Sequence, residues 1–548
     1  MGDFVWVVEF PENGTSACAR DGDNLLDVMR ANGVDIAADC GGHGRCGKCV
    51  CFVDGERRLA CETAVDADIE VRLPVAGDGY DILTDFDMGA GDGHKGDGSF
   101  CVDISAEDNG HRGHKKNRPL CVVADSGHDG LAVAVDIGTT TLALKLVDIA
   151  SGREVWASAA LNSQRPYGAD VISRINASMD DASVLSGLIT RQIDGMIETM
   201  LRDSAADARS VRRVVVAGNT TMSYLLLGLP CRSLGLAPFT PAFSFKEEYA
   251  YDEIFHSDTL AAPVHVMPFV SAYVGGDVTS GLTALETRAR SASAPEAGDG
   301  ERDQALALET RARDAAASKS GDEPYILVDM GTNGEIAYHR GDRLLCTSTA
   351  AGPAFEGGNI SCGSGSVEGA VSKVWIRDGA IGYETIGGAP ARGICGSGLL
   401  DAMACFVTEG IVDATGAMNA DSPFVDEARV VIATSADSGG EDIALTQRDV
   451  REFQLAKSAV RSGIETLIGE SGDIIPDKLY LAGGFGQRLD ADSAFATGLL
   501  PESVRGRVVP IGNSSLAGAV LAASDTGILT AAYGIAARGE EINLASHP

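Results

Sequence analysis

Hydrophobic positions recur with a clear period in two parts of the chain and lose it between them. Phe4–Phe10 alternates apolar and polar residues and is rich in β-formers, the pattern of a half-buried strand. Asp23–Asn32 sets Leu25, Leu26, Val28 and Met29 at helical spacing and stops before Gly33. Val50–Val53 and Ile69–Leu73 read as further strands. From Gly77 to Gly130 Gly, Asp, His and Ser dominate and no apolar period survives, which predicts a flexible linker. Order returns at Leu131, where Leu131–Val135 and Leu142–Val147 predict a hairpin around the turn Asp136–Thr141. Tyr325–Val328 and Ile336–Tyr338 repeat that form around Asp329–Glu335, and a further strand, Lys478–Leu481, runs into a glycine-rich turn. Val278–Leu285 and Asn513–Ala522 predict helices, the second made of small residues. The polar stretch 286–323 predicts a surface insertion, because Ala-Leu-Glu-Thr-Arg-Ala-Arg occurs at 284–290 and again at 307–313.

Chemistry concentrates first between Asp39 and Cys61. Cys40, Cys46, Cys49 and Cys61 fall within 22 positions, with Gly41, Gly42, Gly44 and Gly47 among the first three. Thiolates that share one inorganic centre must converge from a short loop, and glycine lets the backbone fold closely around it. The spacing C-x5-C-x2-C…C is one residue longer in its first gap than the plant-type ferredoxin pattern, which points to a 2Fe-2S cluster on these four cysteines. A zinc site on the same thiolates stays open as the alternative, although zinc ribbons more often use two C-x2-C pairs. Strand, strand, helix, cysteine loop, strands is the order of a β-grasp ferredoxin, so residues 1–76 are expected to form an electron-transfer domain.

Composition narrows the partners. A formal charge of −34 on 548 residues argues against nucleic acid or an anionic membrane surface. No stretch of about 18 apolar residues appears, and no basic leader precedes an apolar run, so a cytoplasmic protein is expected. The 13 cysteines show no disulfide framework; Cys18, Cys51 and Cys405 read as small buried hydrophobes in a reducing compartment. The four linker histidines, His94, His111, His114 and His128, leave metal binding open.

The two D-x-G-T turns carry the second chemistry. Backbone N–H groups and hydroxyls of Gly138, Thr139, Thr140 and Thr141, and of Gly331, Thr332 and Asn333, suit phosphate oxygens, and Asp136 and Asp329 suit Mg²⁺. Leu481–Gly486 adds Gly483, Gly484 and Gly486, where a nucleoside can approach the backbone. This trio is similar to the phosphate and adenosine motifs of the acetate kinase, sugar kinase, heat-shock protein and actin superfamily. Gly275–Asp277 with the helix after it, and Asn513–Ala522, resemble its two connecting helices.

The whole arrangement resembles the reductive activators of corrinoid-dependent proteins, with family-like segments at Asn162–Val171, Ala217–Thr221, Ala351–Gly357 and Gly393–Gly398. The resemblance implies an α+β and α/β multidomain chain: a β-grasp 2Fe-2S ferredoxin domain at 1–76 and a linker at 77–130. A middle domain at 131–207 and an actin-like, ribonuclease H-like ATP-binding domain at 208–548 then make a two-lobed ATPase core. The implied activity is ATP-dependent return of a Co(II) corrinoid to Co(I), with the cluster, ATP and Mg²⁺ as cofactors. The implied partners are a corrinoid protein of a methyltransferase system and a low-potential electron donor; a homodimer stays open. Glu335 or Asp277 is expected to orient the attacking water, and Ser348, Glu356 and Ser397 lie in loops that could face the corrinoid. The rival readings are a small-molecule kinase that has acquired a ferredoxin, and an electron carrier whose nucleotide core is only structural.

Overall fold

Val8 and Phe10 are alternate residues of the strand Val5–Phe10, and both turn inward, as the period of two requires. They pack on Leu25, Leu26, Val28 and Met29 of the helix Leu25–Ala31, whose N-cap Asn24 accepts a hydrogen bond from the Leu26 N–H at 3.0 Å. The strands lie in the order Thr15–Arg20, Val5–Phe10, Ile69–Arg72, Val50–Val53, Glu56–Leu59, with Val5–Phe10 parallel to Ile69–Arg72. Cys51 is buried as expected and its thiol is pushed up to about 11 by burial. Cys18, by contrast, is exposed, because Ala17 and Ala19 take the inward face of its strand; Cys405 is only half-buried.

The computed structural model describes residues 5–11, 15–34, 36, 49–73, 130–168, 170–179, 181–292, 323–331, 333–438, 441–544 and 547. Cys40, Cys46, Thr332, the linker histidines and the second Ala-Leu-Glu-Thr-Arg-Ala-Arg copy lie outside them.

Beyond Gly130 two sheets repeat one plan. In the first, Leu131–Ile137, Thr141–Asp148 and Glu154–Leu161 form an antiparallel meander, and Val211–Gly218 and Val264–Val266 extend it in parallel. In the second, Tyr325–Met330, Gly334–Arg340 and Arg343–Thr349 form the meander, and Lys478–Ala482 and Val508–Gly512 extend it in parallel. Numbering strands within each sheet, both run third, second, first, fourth, fifth; Gly539–Glu541 adds an edge strand to the second. Both predicted hairpins are therefore the opening pairs of two related lobes. Among the described residues no helix is long and apolar enough to cross a membrane.

Two helices cross between the lobes, Gly276–Ala292 and Ser514–Ser524. The first runs on to Ala292, so Glu286, which the sequence groups with the insertion, ion-pairs Arg538 at 2.8 Å. Their crossing is close: the Ser280 hydroxyl donates to the Ser515 carbonyl at 2.6 Å, and a Cβ on Gly518 would stand 1.9 Å from the Ser280 carbonyl oxygen. Gly518→Ala is expected to force the helices apart and cost about 1–3 kcal/mol, the usual penalty of overpacking. Thermal unfolding of the full chain checks this.

Candidate active site between the lobes

Each strand that opens a lobe carries an acidic residue at its last position but one, and the fold brings both to one cleft. Asp136 is the last residue but one in the first strand of lobe one and faces the start of the helix Ser514–Ser524. Its carboxylate accepts from Asn513 Nδ2 at 2.9 Å and from Ser515 Oγ at 2.7 Å. Burial raises its pKa and these two donors oppose the rise. Asp329 occupies the matching place in lobe two and is raised to about 8, by burial first and then by Asp277, Asp136 and Glu356. Asp277, in the first turn of its helix, accepts from the Val278 N–H at 2.8 Å and is raised to about 7, chiefly by burial. Glu335, on the strand after the second turn, is raised well above the usual carboxylate range by burial and by Asp277 and Asp329.

These groups line one cavity of ≈ 230 Å³ together with Gly138, Thr139, Thr140, Thr141, Gly331, Asn333, Gly483 and Gly484. Gly483 has φ +83°, and a Cβ there would lie 2.8 Å from the Met330 carbonyl and 2.9 Å from Asp329 Oδ1, so glycine is required. Gly486 does not line the cavity; it packs on the backbone of Leu481. Of the sulfur set, Cys49 Sγ and Cys61 Sγ stand 3.1 Å apart. That is too far for a disulfide bond of about 2.05 Å, so the two sulfurs lie side by side with no disulfide between them.

The structure adds residues that sequence reasoning left without a role in the cleft. Asn219, Ser364–Ser366, Gly396, Arg488, Asn513 and Ser515 line it, and Phe355 stacks on Phe485 with centroids 4.5 Å apart at 9°. Glu356, from the turn Pro353–Glu356 of lobe two, accepts the Thr140 hydroxyl of lobe one at 2.8 Å, so a side chain of lobe two holds the first phosphate turn. Ser397 also lines the cavity. The Asn-Ser-Ser start of a helix was a legible capping signal, but its reach to Asp136 depends on a contact across 377 residues.

A pH dependence follows from the raised carboxylates. Their folded pKa values, about 7 and about 8, stand above the usual carboxylate value near 3.9, so the folded state binds more protons. The stability they contribute is full below about pH 4 and is lost as pH rises through 7 and 8. Thermal unfolding from pH 5 to 9 in metal-free buffer is expected to show this decline, and a bound divalent cation should reduce it.

Fold and site together define a two-lobed nucleotide-binding core of the actin-like class, joined to a ferredoxin-type cluster domain. Family matches agree: residues 10–68 match the 2Fe-2S iron-sulfur cluster binding domain, 131–290 the RACo middle region, and 323–548 the C-terminal domain of RACo, the ASKHA domain. The chain belongs to the RACo-type proteins, and the recognition drawn from its motifs holds. A solved structure described as a reductive activator for corrinoid, iron-sulfur protein is similar over 99% of this chain and 96% of that one, with TM-score 0.62 and 26% identity. The corrinoid activation enzyme RamQ of Eubacterium limosum is 32% identical over 413 residues, 71% of this chain and 63% of RamQ. The Co(II) methylated amine-specific corrinoid protein reductase of Methanosarcina barkeri is 30% identical over 226 residues, 36% of this chain and 38% of that protein. The chain thus spans less than two thirds of either curated relative.

Proposed function

We propose that this protein is an ATP-dependent reductive activator of a corrinoid protein. One electron passes from a low-potential donor through the cluster domain to Co(II), giving Co(I), while ATP and water become ADP and phosphate. The observation that carries the reading is the covalent pairing of a 2Fe-2S cluster binding domain with a two-lobed nucleotide cleft of the RACo type. A kinase has no need of the first, and a simple carrier has no need of the second.

In this reading Cys40, Cys46, Cys49 and Cys61 hold the cluster, which supplies one-electron transfer when bound. The Asp39–Cys61 segment lies wholly within the matched cluster domain. Gly138–Thr141 and Gly331–Asn333 hold phosphates, and Gly483 and Gly484 receive the adenosine, while Gly486 packs on Leu481 and shapes the turn. Mg²⁺ would offset the like charges that raise Asp329 and Asp277. Among the described residues no three His, Cys, Asp or Glu side chains converge closely enough to cage a metal alone. The ion would therefore be shared between Asp136 or Asp329, water and the phosphates, as Mg²⁺ usually is in ATPase sites. For the attacking water, Asp277 is better suited than Glu335. A group poised near pH 7 can accept a proton, whereas burial, Asp277 and Asp329 push Glu335 well above the usual carboxylate range and disfavour its ionised form.

The division into 1–76, 77–130, 131–207 and 208–548, with 286–323 as an insertion, belongs to this proposal, as do a cytoplasmic location and the choice between monomer and homodimer. The test is an anaerobic absorbance time course with a reductant, ATP and a panel of Co(II) corrinoid proteins. Appearance of the Co(I) spectrum only when ATP is present supports the reading. Phosphorylation of a small metabolite with no corrinoid reduced would replace it with the kinase reading, and no ATP turnover under any condition would favour the carrier.

A further inference from the structure

Gly138, Thr139 and Thr140 line the cleft, and the carbonyls of all three are engaged by Asn162 and Arg174. Asn162 Nδ2 donates to the Gly138 carbonyl at 2.8 Å, the Asn162 N–H donates to the Thr140 carbonyl at 2.9 Å, and Arg174 Nη2 donates to the Thr139 carbonyl. Arg174 is fully buried. Its other bonds run to the Gln164 side chain at 3.2 Å, the Gly168 carbonyl at 3.0 Å and the Met222 sulfur at 3.1 Å, so its hydrogen-bond partners are neutral, with Asp170 and Glu356 acting on it only through charge. Burial lowers its pKa to about 9. A buried guanidinium held by carbonyls fixes those carbonyls firmly, because each bond is charge-assisted.

The far side of the same segment touches the cluster domain. Arg30, on the helix that packs beside Cys61, donates through Nε to the Pro166 carbonyl at 2.8 Å and through Nη2 to the same oxygen. Its guanidinium lies 5.1 Å from the centre of the Tyr167 ring, and its side chain is only 12% exposed. Asp27 holds the other arm at 3.1 Å. The turn Arg165–Tyr167 is thus gripped from two sides: outside by the electron-transfer domain, inside by the residues that orient the phosphate turn.

We propose that the turn Arg165–Tyr167 is a docking surface for this chain's own cluster domain, read by Arg30, and that docking and nucleotide binding strengthen one another through Asn162 and Arg174. Docking holds the 162–168 segment in place and so orders the phosphate turn before phosphate arrives, which removes part of the ordering cost of binding. Linkage makes the effect reciprocal: nucleotide must favour the docked form by the same factor. In this arrangement Asn162 and Arg174 are positioning residues, acting through the three carbonyls. The proposal rests on the nucleotide reading of the cleft but can fail separately from it.

The experiment uses the full-length, cluster-loaded chain, a non-hydrolysable ATP analogue with Mg²⁺, and two interface variants, Arg30→Ala and Tyr167→Ala, with their double variant. Analogue affinity is measured by titration calorimetry, and domain position by small-angle X-ray scattering with and without analogue. Both single variants are expected to weaken analogue binding about fivefold or more, the lower end of usual coupling strengths. The double variant should lose no more than Arg30→Ala, since Arg30 makes both the bonds to the Pro166 carbonyl and the contact with the Tyr167 ring. Analogue should reduce the radius of gyration of the wild-type chain and not of Arg30→Ala. Analogue affinity unchanged in Arg30→Ala, with the radius of gyration raised, would show a dock without coupling and overturn the proposal. An unchanged radius with unchanged affinity would overturn the dock itself. Failure of the wild-type chain to bind analogue would overturn both this proposal and the nucleotide reading.

Discussion

Cys46→Ala is expected to yield a chain that binds ATP normally, carries no 2Fe-2S absorbance and forms no Co(I). Four thiolates share the charge of one cluster, and the loop that supplies three of them has five residues between the first pair and two between the next. Such a loop has no spare ligand beside it: Cys51, the next cysteine along, is buried with its thiol pushed up to about 11, far from the thiolate form a metal needs. Activity should therefore fall to background rather than by a fraction. Iron and sulfide analysis, visible absorption and the anaerobic Co(I) assay check the three parts separately. One zinc per chain in the unaltered protein, with no visible absorption, would overturn the cluster assignment.

Asp329→Ala is expected to lower ATP hydrolysis by at least about a hundredfold, since charge held through a metal contributes several kcal/mol to such transition states. The same substitution should leave the fold intact and raise its melting temperature at pH 8. Asp329 is crowded by Asp277, Asp136 and Glu356, and that crowding, added to burial, is what lifts it to about 8. Removing the group relieves repulsion that the folded state bears in the absence of a cation. Opposite signs for activity and stability are the mark of a site whose charge serves chemistry. Unchanged hydrolysis would remove Asp329 from the proposed mechanism.

Local patterns carried much of this structure. Leu25, Leu26, Val28 and Met29 announced a helix by spacing alone, and the helix Leu25–Ala31 buries all four. The hairpins around Asp136 and Asp329 were legible because alternation and a Gly/Thr turn are both properties of adjacent residues. Asp136, Asp277, Asp329 and Glu335 were legible as candidates for the same reason, and the fold sets them around one cavity. What could not be read was who stands behind them. Arg174 sits in an ordinary helix, Val171–Ala177, and its bond to the Thr139 carbonyl spans 35 residues of unrelated sequence. Asn513 and Ser515 reach Asp136 across nearly the whole core, and no local period encodes a contact at that distance. Glu356 was noticed for its glycine-rich loop, but its bond to Thr140 exists only because the two lobes face each other.

The crossing of Gly276–Ala292 with Ser514–Ser524 has a mechanical consequence. With Gly518 pressed against the Ser280 carbonyl, the pair cannot slide, so relative movement of the lobes must be taken up as rotation about that contact. The first helix is 17 residues long and begins at the cleft with Asp277. At about 1.5 Å per residue it makes a rod of about 25 Å, and a tilt of about 5° at one end would carry the other through about 2 Å. The far end of that rod stands about 25 Å from the cleft, so a small turn at the site becomes a measurable displacement there.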